Sequence, residues 1–323
     1  MAARQNAICE RPSGIQKRDP PLGTWKFVMR NRIYSTLFCG LLFLIFASCG
    51  VFAQQQPKAK SPALTTVPEL RAGFDLLYNQ KFAEARQSFE GWESRNPEEP
   101  FGEVAIAASY LFEELYQQKV LTSDFFLDQR RFLRGIDGTP NLERMRAFRE
   151  SLNKARELAH KRQAFDPNDA EALFTLTLAD GMESDALTIL ERKHLEALKQ
   201  MKEANKHAKK LLAQDPDATD AYVALGISNY IIGSLSPGPR FGLWFDGIHG
   251  DKNVGMAQVA RTATSGRYLG PFAKIILALA ARRENQPALA ARLFRELKEQ
   301  YPGNGLYALE YFKARSVSVS EHS

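Results

Sequence analysis

The segment that most constrains the fold runs from Glu69 to Pro97, ELRAGFDLLYNQKFAEARQSFEGWESRNP. Its small and apolar residues recur at steps of three and four, which is the spacing of one face of an α-helix. A polar break over residues 79–81 divides the pattern in two. The segment therefore predicts two amphipathic helices joined by a tight turn. Gly73 and Ala85 are small enough to let the paired helices approach closely.

The same segment resembles a known repeat. The 34-residue tetratricopeptide repeat has a small residue early in its first helix, an aromatic residue and an Ala in its second helix, and a terminal Pro. The residues at these spacings are Gly73, Phe82, Ala85, Phe89 and Pro97. A second copy near the C-terminus places Ala278, Ala290, Phe294 and Pro302 at the same relative positions. Pro287 departs from the repeat because it replaces the aromatic that opens the second helix, although Pro is tolerated in a first helical turn.

Between these two copies the repeat period loosens. Asp166 and Asp215 each lie where one helix ends and the next begins, and they are 49 residues apart instead of 34. Asp and Asn side chains in these segments can cap free backbone N–H groups. A long helix predicted over Asp185–Ala213 accounts for the extra length. A last helix is predicted over Gly305–Arg315, where it would cap the stack.

The resemblance to the tetratricopeptide repeat superfamily implies an all-α fold. The expected architecture is a right-handed α–α superhelix, a solenoid of stacked antiparallel helix pairs over residues 67–315. In such solenoids the first helix of each pair lines a concave surface, which most often binds a peptide or protein segment. The polar stretch 54–66 is predicted to be a disordered linker, and residues 316–323 a disordered tail.

Two insertions interrupt the predicted repeats. Val120–Asn141 contains three phenylalanines followed by a Gly- and Pro-containing turn. Ser234–Lys252 is also rich in Gly and Pro but carries Phe241, Trp244 and Phe245. Long loops are usually functional or disordered, and clustered aromatic residues argue against disorder. We expect the second loop either to fill a groove between helix pairs or to bind a partner.

The N-terminal 53 residues form a targeting segment. An apolar run over residues 33–46 follows Arg30 and Arg32 and precedes Val51-Phe52-Ala53, the arrangement of a signal peptide with cleavage after Ala53. Translation from Met29 would give this signal an ordinary length. Two alternatives stay open: a lipoprotein with lipid attached to Cys49, or an uncleaved anchor of 21 residues spanning the bilayer. Each alternative places the rest of the chain outside the cytoplasm, in the periplasm or secreted, free or membrane-anchored.

Charge and cysteine content agree with removal of this segment. The net charge of +6 arises mainly before residue 54, where seven basic residues face two acidic ones, leaving 36 basic and 35 acidic residues afterwards. All three cysteines also lie there. The remaining chain therefore has no disulfide framework, thiolate metal site or cysteine nucleophile. Its near-zero charge argues against nucleic-acid binding.

Two Glu-x-x-His spacings are the one enzymatic signal. Glu157 with His160, and Glu191 with His194, have the spacing found in the di-iron sites of helical bundles. The alternative function is therefore a di-metal oxidase. Lysine and arginine residues flank both motifs, whereas a dry metal core needs apolar neighbours, so we expect solvated helix faces with no cofactor.

The rest of the sequence favours binding over catalysis. It lacks a nucleophile elbow, an H-E-x-x-H zinc motif and a Walker lysine loop, so no catalytic residues are predicted. Five lysines over residues 199–210 are interleaved with glutamates, a pattern typical of a solvated face with salt bridges. We expect an exported, non-enzymatic scaffold that binds a protein or peptide, for instance in cell-envelope assembly. A membrane contact is expected only through an uncleaved anchor or a lipidated Cys49.

Overall fold

The structure is a computed structural model that describes residues 64–235 and 249–320, all of them within the unit Ala59–Ser323. These residues form thirteen α-helices and one short 3-10 helix, with no β-strand among them. The helices are α1 Pro68–Tyr78, α2 Phe82–Glu93, α3 Pro100–Gln117, α4 Ser123–Leu127, α5 Gln129–Arg134, α6 Leu142–Phe165, α7 Ala170–Ile189, α8 His194–Gln214, α9 Tyr222–Gly233, α10 Lys252–Ser265, α11 Gly270–Arg283, α12 Pro287–Gln300 and α13 Gly305–Ser320. The 3-10 helix Thr219–Ala221 leads directly into α9.

The helices pack in neighbouring pairs along the chain. Each of α7 to α13 contacts the helix that precedes it, and α2 contacts both α1 and α3. The short helices α4 and α5 interrupt this row of pairs, because α3 packs directly against α6. The predicted all-helical fold built from helix pairs is therefore confirmed.

The first pair, α1 and α2, forms as the sequence predicts. The two helices are separated by the turn at residues 79–81, where Gln80 has a φ of 63°. Phe89 is fully buried against Gly73, and a Cβ atom on Gly73 would lie 2.3 Å from the Phe89 ring. A side chain larger than hydrogen at position 73 would thus push the helices apart. The glycine is required by this close approach.

Helices α3 and α7 form the interior of the molecule. Phe101 of α3 packs against Phe174 of α7 with ring centroids 5.5 Å apart. Its ring also lies 5.1 Å from Tyr268, and the Tyr268 ring lies 5.3 Å from Phe74. These aromatic rings are almost completely buried. They join elements that are up to two hundred residues apart into one core.

The last helices pack against the first. The Tyr78 hydroxyl donates to the carbonyl oxygen of Tyr268 at 2.9 Å, and the Asn304 side chain donates to the carbonyl oxygen of Tyr78 at 2.9 Å. The Tyr301 hydroxyl donates to the Asp75 carboxylate at 2.9 Å. We call this contact between α1 and the segments at 267–269 and 301–304 the seam. The seam therefore joins the last helices of the chain to the first helix pair.

Three boundaries differ from the sequence-based expectations. The predicted helix 185–213 is two helices, because the chain turns at residues 190–193, where Arg192 has a φ of 61° and donates to the carbonyl oxygen of Ile136. The predicted linker ends earlier, since Leu64 is buried in the core. Helix α13 extends to Ser320, beyond the expected end at Arg315.

Several helix starts agree with the caps read from the sequence. The Asp169 side chain accepts a hydrogen bond from the backbone N–H of Ala172 at 2.9 Å and so caps α7. Pro287 occupies the first turn of α12, where its missing N–H costs nothing. Over residues 64–235 and 249–320, no helix has both the length and the apolar character needed to cross a membrane. The N-terminal segment 1–53, which the sequence predicts to be a targeting segment, lies outside the described residues.

Candidate functional site: an apolar pocket beside the seam

A pocket lies between the first helix pair and the last three helices. The space in it that the centre of a water-sized molecule can occupy is about 90 Å³. The apolar side chains that line it come from α1, α2, α3, the insertion at 120–141, α11, α12 and α13. They are Leu77, Phe82, Phe112, Leu121, Phe126, Phe272, Ile275, Ile276, Leu279, Phe294 and Leu306. A concave, mainly apolar space with a few polar groups is the usual form of a binding site.

One polar group in this pocket has no partner. Gln80 lines the pocket, and its side-chain amide nitrogen is buried without a hydrogen bond within the described part of the chain. A buried donor without an acceptor costs about 1–3 kcal/mol. The positive φ of Gln80 places a further cost on this turn, since αL backbone is unfavourable for residues with a Cβ. A rotation of this side chain toward the pocket would let an acceptor on a bound molecule recover the hydrogen bond.

An ionic network holds the opposite wall. The Glu310 carboxylate accepts from the backbone N–H of Ser123 at 3.2 Å and from Lys313 at 3.2 Å, and it pairs with Arg282 at 3.4 Å. Arg282 also donates to the Ser123 hydroxyl, and Lys313 pairs with Asp124 at 2.6 Å. Glu310 is only 3% exposed, so these partners satisfy a buried charge. The network fixes α4 onto α11 and α13.

The insertion is an ordered part of this wall. Phe125 is buried and contacts Phe126 and Phe132, with ring centroids 5.2 and 6.0 Å away. At its other end, the backbone N–H of Asn141 donates to the buried Glu114 carboxylate at 3.2 Å. The aromatic residues therefore have a structural role, as their clustering in the sequence suggested.

A more polar hollow adjoins the pocket. It is lined by Tyr116, Gln117 and Lys119 at the end of α3 and shares Leu121, Thr122 and Leu306 with the pocket, which makes the two spaces continuous. Tyr116 is 37% exposed at this entrance. The site therefore combines an apolar interior with a polar approach.

The tyrosines around the pocket are suited to hydrogen bonding. Burial raises the pKa of Tyr78 well above 10 and also raises the pKa values of Tyr301 and Tyr307. All three hydroxyls therefore stay protonated at neutral pH and can donate. A phenol with a raised pKa is a poor base or nucleophile, so these groups stabilise contacts better than they would drive a reaction.

A second cluster of titratable groups lies between α6, α7 and α8. The Asp180 carboxylate accepts two hydrogen bonds from Arg156, at 3.0 and 3.2 Å, and lies 3.6 Å from the His207 ring. Burial lowers the pKa of His207 from 6.5 and raises the pKa of Asp180. Arg156 compensates the buried carboxylate, which indicates a role in joining the three helices.

The structure does not bring the four Glu-x-x-His residues together. Glu157 forms an exposed ion pair with Lys161, and Glu191 pairs with Arg149 and with Lys193. His160 lies on the exposed side of α6, whereas His194 contacts the carbonyl oxygen of Leu133 at 3.1 Å. No group of three or more His, Cys, Asp or Glu side chains within the described ranges could hold a metal ion.

The other predicted residues divide into two sets. Phe241, Trp244 and Phe245 lie outside the described residues. The residues predicted to pack the repeats are buried, except for the two prolines, which are exposed after their helices. The buried set is Gly73, Phe82, Ala85, Phe89, Ala278, Ala290 and Phe294, and the exposed prolines are Pro97 and Pro302.

The pocket could not be identified from the sequence. Its lining comes from seven separate segments, and most of these side chains have the ordinary spacing of core residues. The positive φ of Gln80 has no local sequence signal, since neither Gly nor Asn occupies that position. No family model matches the chain, and neither a curated protein nor a solved structure does.

Proposed function

We propose that this protein is an exported, non-enzymatic binding protein that holds a partner polypeptide by taking its apolar side chains into the pocket beside the seam. The observation that carries this proposal is the apolar pocket with the buried, unpaired amide of Gln80. If the Gln80 side chain turned toward the pocket, a backbone carbonyl of the partner would supply the missing acceptor.

The form of the site favours a polypeptide. The pocket has room for an apolar side chain, and the adjoining hollow with Gln117 and Lys119 would contact the polar backbone on either side. The helix pairs, arranged as in a divergent tetratricopeptide superhelix whose ends meet, would serve as the rigid frame. The alternative of a di-metal oxidase has no support from the positions of its four candidate residues.

Selection of peptides against two matched variants tests the proposal. Ile276→Trp would fill the pocket, whereas Leu309→Trp adds the same ring to an exposed position on α13. Peptides selected on the full-length wild-type chain should share an apolar anchor residue. They should bind the Leu309→Trp variant and lose at least about tenfold in affinity for Ile276→Trp.

Two results would overturn the proposal. One is selection of peptides that bind wild type and Ile276→Trp equally well. The other is binding of small apolar molecules in the pocket with no peptide selected at all, because the site would then serve a different class of ligand. Thermal unfolding of both variants checks that each one folds.

A further inference from the structure

Helix α8 carries five lysines on one side. At about 100° per residue, these positions fall within an arc of about 100°, and their span along the axis is about 17 Å. The residues are Lys199, Lys202, Lys206, Lys209 and Lys210, and each is exposed. We call this surface the α8 lysine face. Glu196 and Glu203 lie along one edge of the arc.

Most of these charges are unpaired. Lys206 forms an ion pair with Glu203 at 2.9 Å, and Lys210 donates to the carbonyl oxygen of Pro167 at 2.6 Å. Lys199, Lys202 and Lys209 form no ion pair within the part of the chain that the structure describes. The sequence predicts a solvated face with several salt bridges, whereas the structure has one salt bridge among these lysines. A net positive potential follows from the unpaired ammonium groups.

Exposed apolar side chains lie at both ends of the α8 lysine face. Leu195 is 79% exposed and falls within the same arc, one turn before Lys199. Phe165 is 93% exposed at the end of α6, two residues from the Pro167 carbonyl that contacts Lys210. Single exposed apolar side chains are common on protein surfaces, but these two are the ones that lie beside a row of cations.

We propose that the α8 lysine face docks on the surface of an anionic lipid bilayer. The lysines would lie among the lipid headgroups, while Leu195 and Phe165 would enter the boundary with the acyl chains. Basic side chains flanked by aromatic and aliphatic residues are the usual composition of a surface that lies on a membrane. A nucleic-acid duplex would attract the lysines equally, but it offers no apolar layer for the two exposed side chains. The bilayer therefore explains both observations.

Vesicle binding of the full-length chain tests this proposal. The quantity to measure is the ratio of partition coefficients for vesicles with and without phosphatidylglycerol in phosphatidylcholine. The basic N-terminal segment is the same in the wild type and in every variant, so a difference in this ratio between them reports the α8 lysine face. A Lys199→Gln/Lys202→Gln/Lys209→Gln variant should lower the ratio by between about tenfold and about a hundredfold, since each lysine near an anionic surface contributes about a factor of five.

A matched control variant distinguishes the loss of charge on the α8 lysine face from the loss of the same charge elsewhere on the protein. Arg95, Arg283 and Arg292 are exposed, have no ion pair within the described residues and lie off α8. Replacing all three with Gln changes the net charge equally but should alter the ratio by less than about threefold. A Phe165→Trp variant should show additional blue-shifted emission on anionic vesicles. An equal loss in both triple variants, an unchanged ratio in the α8 variant, or preferred binding to duplex DNA would each overturn the proposal.

Discussion

The contact inside the first helix pair and the seam differ in chemistry and in the length of chain that they bridge. Gly73 and Phe89 meet by close apolar packing and are sixteen residues apart. At the seam Tyr78 donates to the Tyr268 carbonyl oxygen and Tyr301 donates to Asp75, so these hydrogen bonds bridge about two hundred residues. Apolar packing tolerates little change in side-chain volume. A tyrosine, by contrast, can lose its hydroxyl hydrogen bond while its ring stays packed in place. The pocket lies beside the second kind of contact.

This difference explains why one region is recognisable in the sequence and the other is not. A short-range contact restricts residues at fixed spacing, such as a glycine opposite a phenylalanine. The seam depends on single tyrosines in separate segments of the chain. Their spacing in the sequence does not show that they lie close together. The seam must therefore be tested by experiments that measure long-range contact.

The largest effect is expected inside the first helix pair. Phe89→Ala should lower the free energy of unfolding by about 3–5 kcal/mol because it empties a fully buried site. Gly73→Ala should cost about 1–3 kcal/mol through overpacking, although Ala is the better helix former. Urea unfolding measures both. The combined Gly73→Ala/Phe89→Leu variant should lose less unfolding free energy than the two single variants lose together. A Gly73→Ala variant as stable as the wild type would contradict the close approach.

A smaller effect is expected at the seam. The Tyr268 hydroxyl accepts from the backbone N–H of Val67 at 2.8 Å and donates to the carbonyl oxygen of Thr65 at 2.7 Å. Tyr268→Phe should therefore cost about 1–3 kcal/mol by leaving two backbone groups without a partner. Faster hydrogen exchange at Val67 should accompany this loss. Tyr222→Phe removes an exposed hydroxyl bonded to Arg261 and should change little, so equal losses in both variants would argue against the seam.

The smallest effect concerns pH and lies away from the seam. The folded pKa of His207 is lower than its unfolded value of 6.5 because of burial, so the unfolded chain binds the proton first. Stability from this group is complete above pH 6.5 and is lost as the pH falls through the folded pKa. Asp180 and Glu203 oppose the shift, whereas Lys206 and His160 support it. His207→Gln should flatten the pH dependence of unfolding in this window, and an unchanged slope would contradict the assignment.

Local features of the fold were predictable because local chemistry causes them. The turn at 79–81 and the Asp169 cap follow from polar residues at the ends of apolar periodic segments. The turn at 190–193 was missed because it contains no Gly or Pro, and Arg192 adopts a positive φ with its side chain bonded to the Ile136 carbonyl. That bond depends on an insertion that lies more than fifty residues away.

The candidate site could not be predicted from the sequence because it forms only where distant segments of the chain meet. Phe82 and Phe294 were identified as packing residues, and both also line the pocket. Their second role arises only when the first and last helix pairs meet. The Glu310 network likewise joins side chains from α4, α11 and α13, whose spacing in the sequence carries no signal.

The central claim is that the first and last helix pairs meet at the seam. The Gly303 N–H donates to the Asn79 side chain at 3.1 Å, and a Cβ on Gly303 would lie 3.7 Å from the side-chain carbonyl carbon of Asn79. Full-length protein with its three native cysteines replaced by Ser and carrying Asn79→Cys/Gly303→Cys should form an intramolecular disulfide under mild oxidation. A control pair, Glu157→Cys with Gly303→Cys, should not. Free thiols or only intermolecular dimers in the Asn79→Cys/Gly303→Cys protein would show that the two ends do not meet.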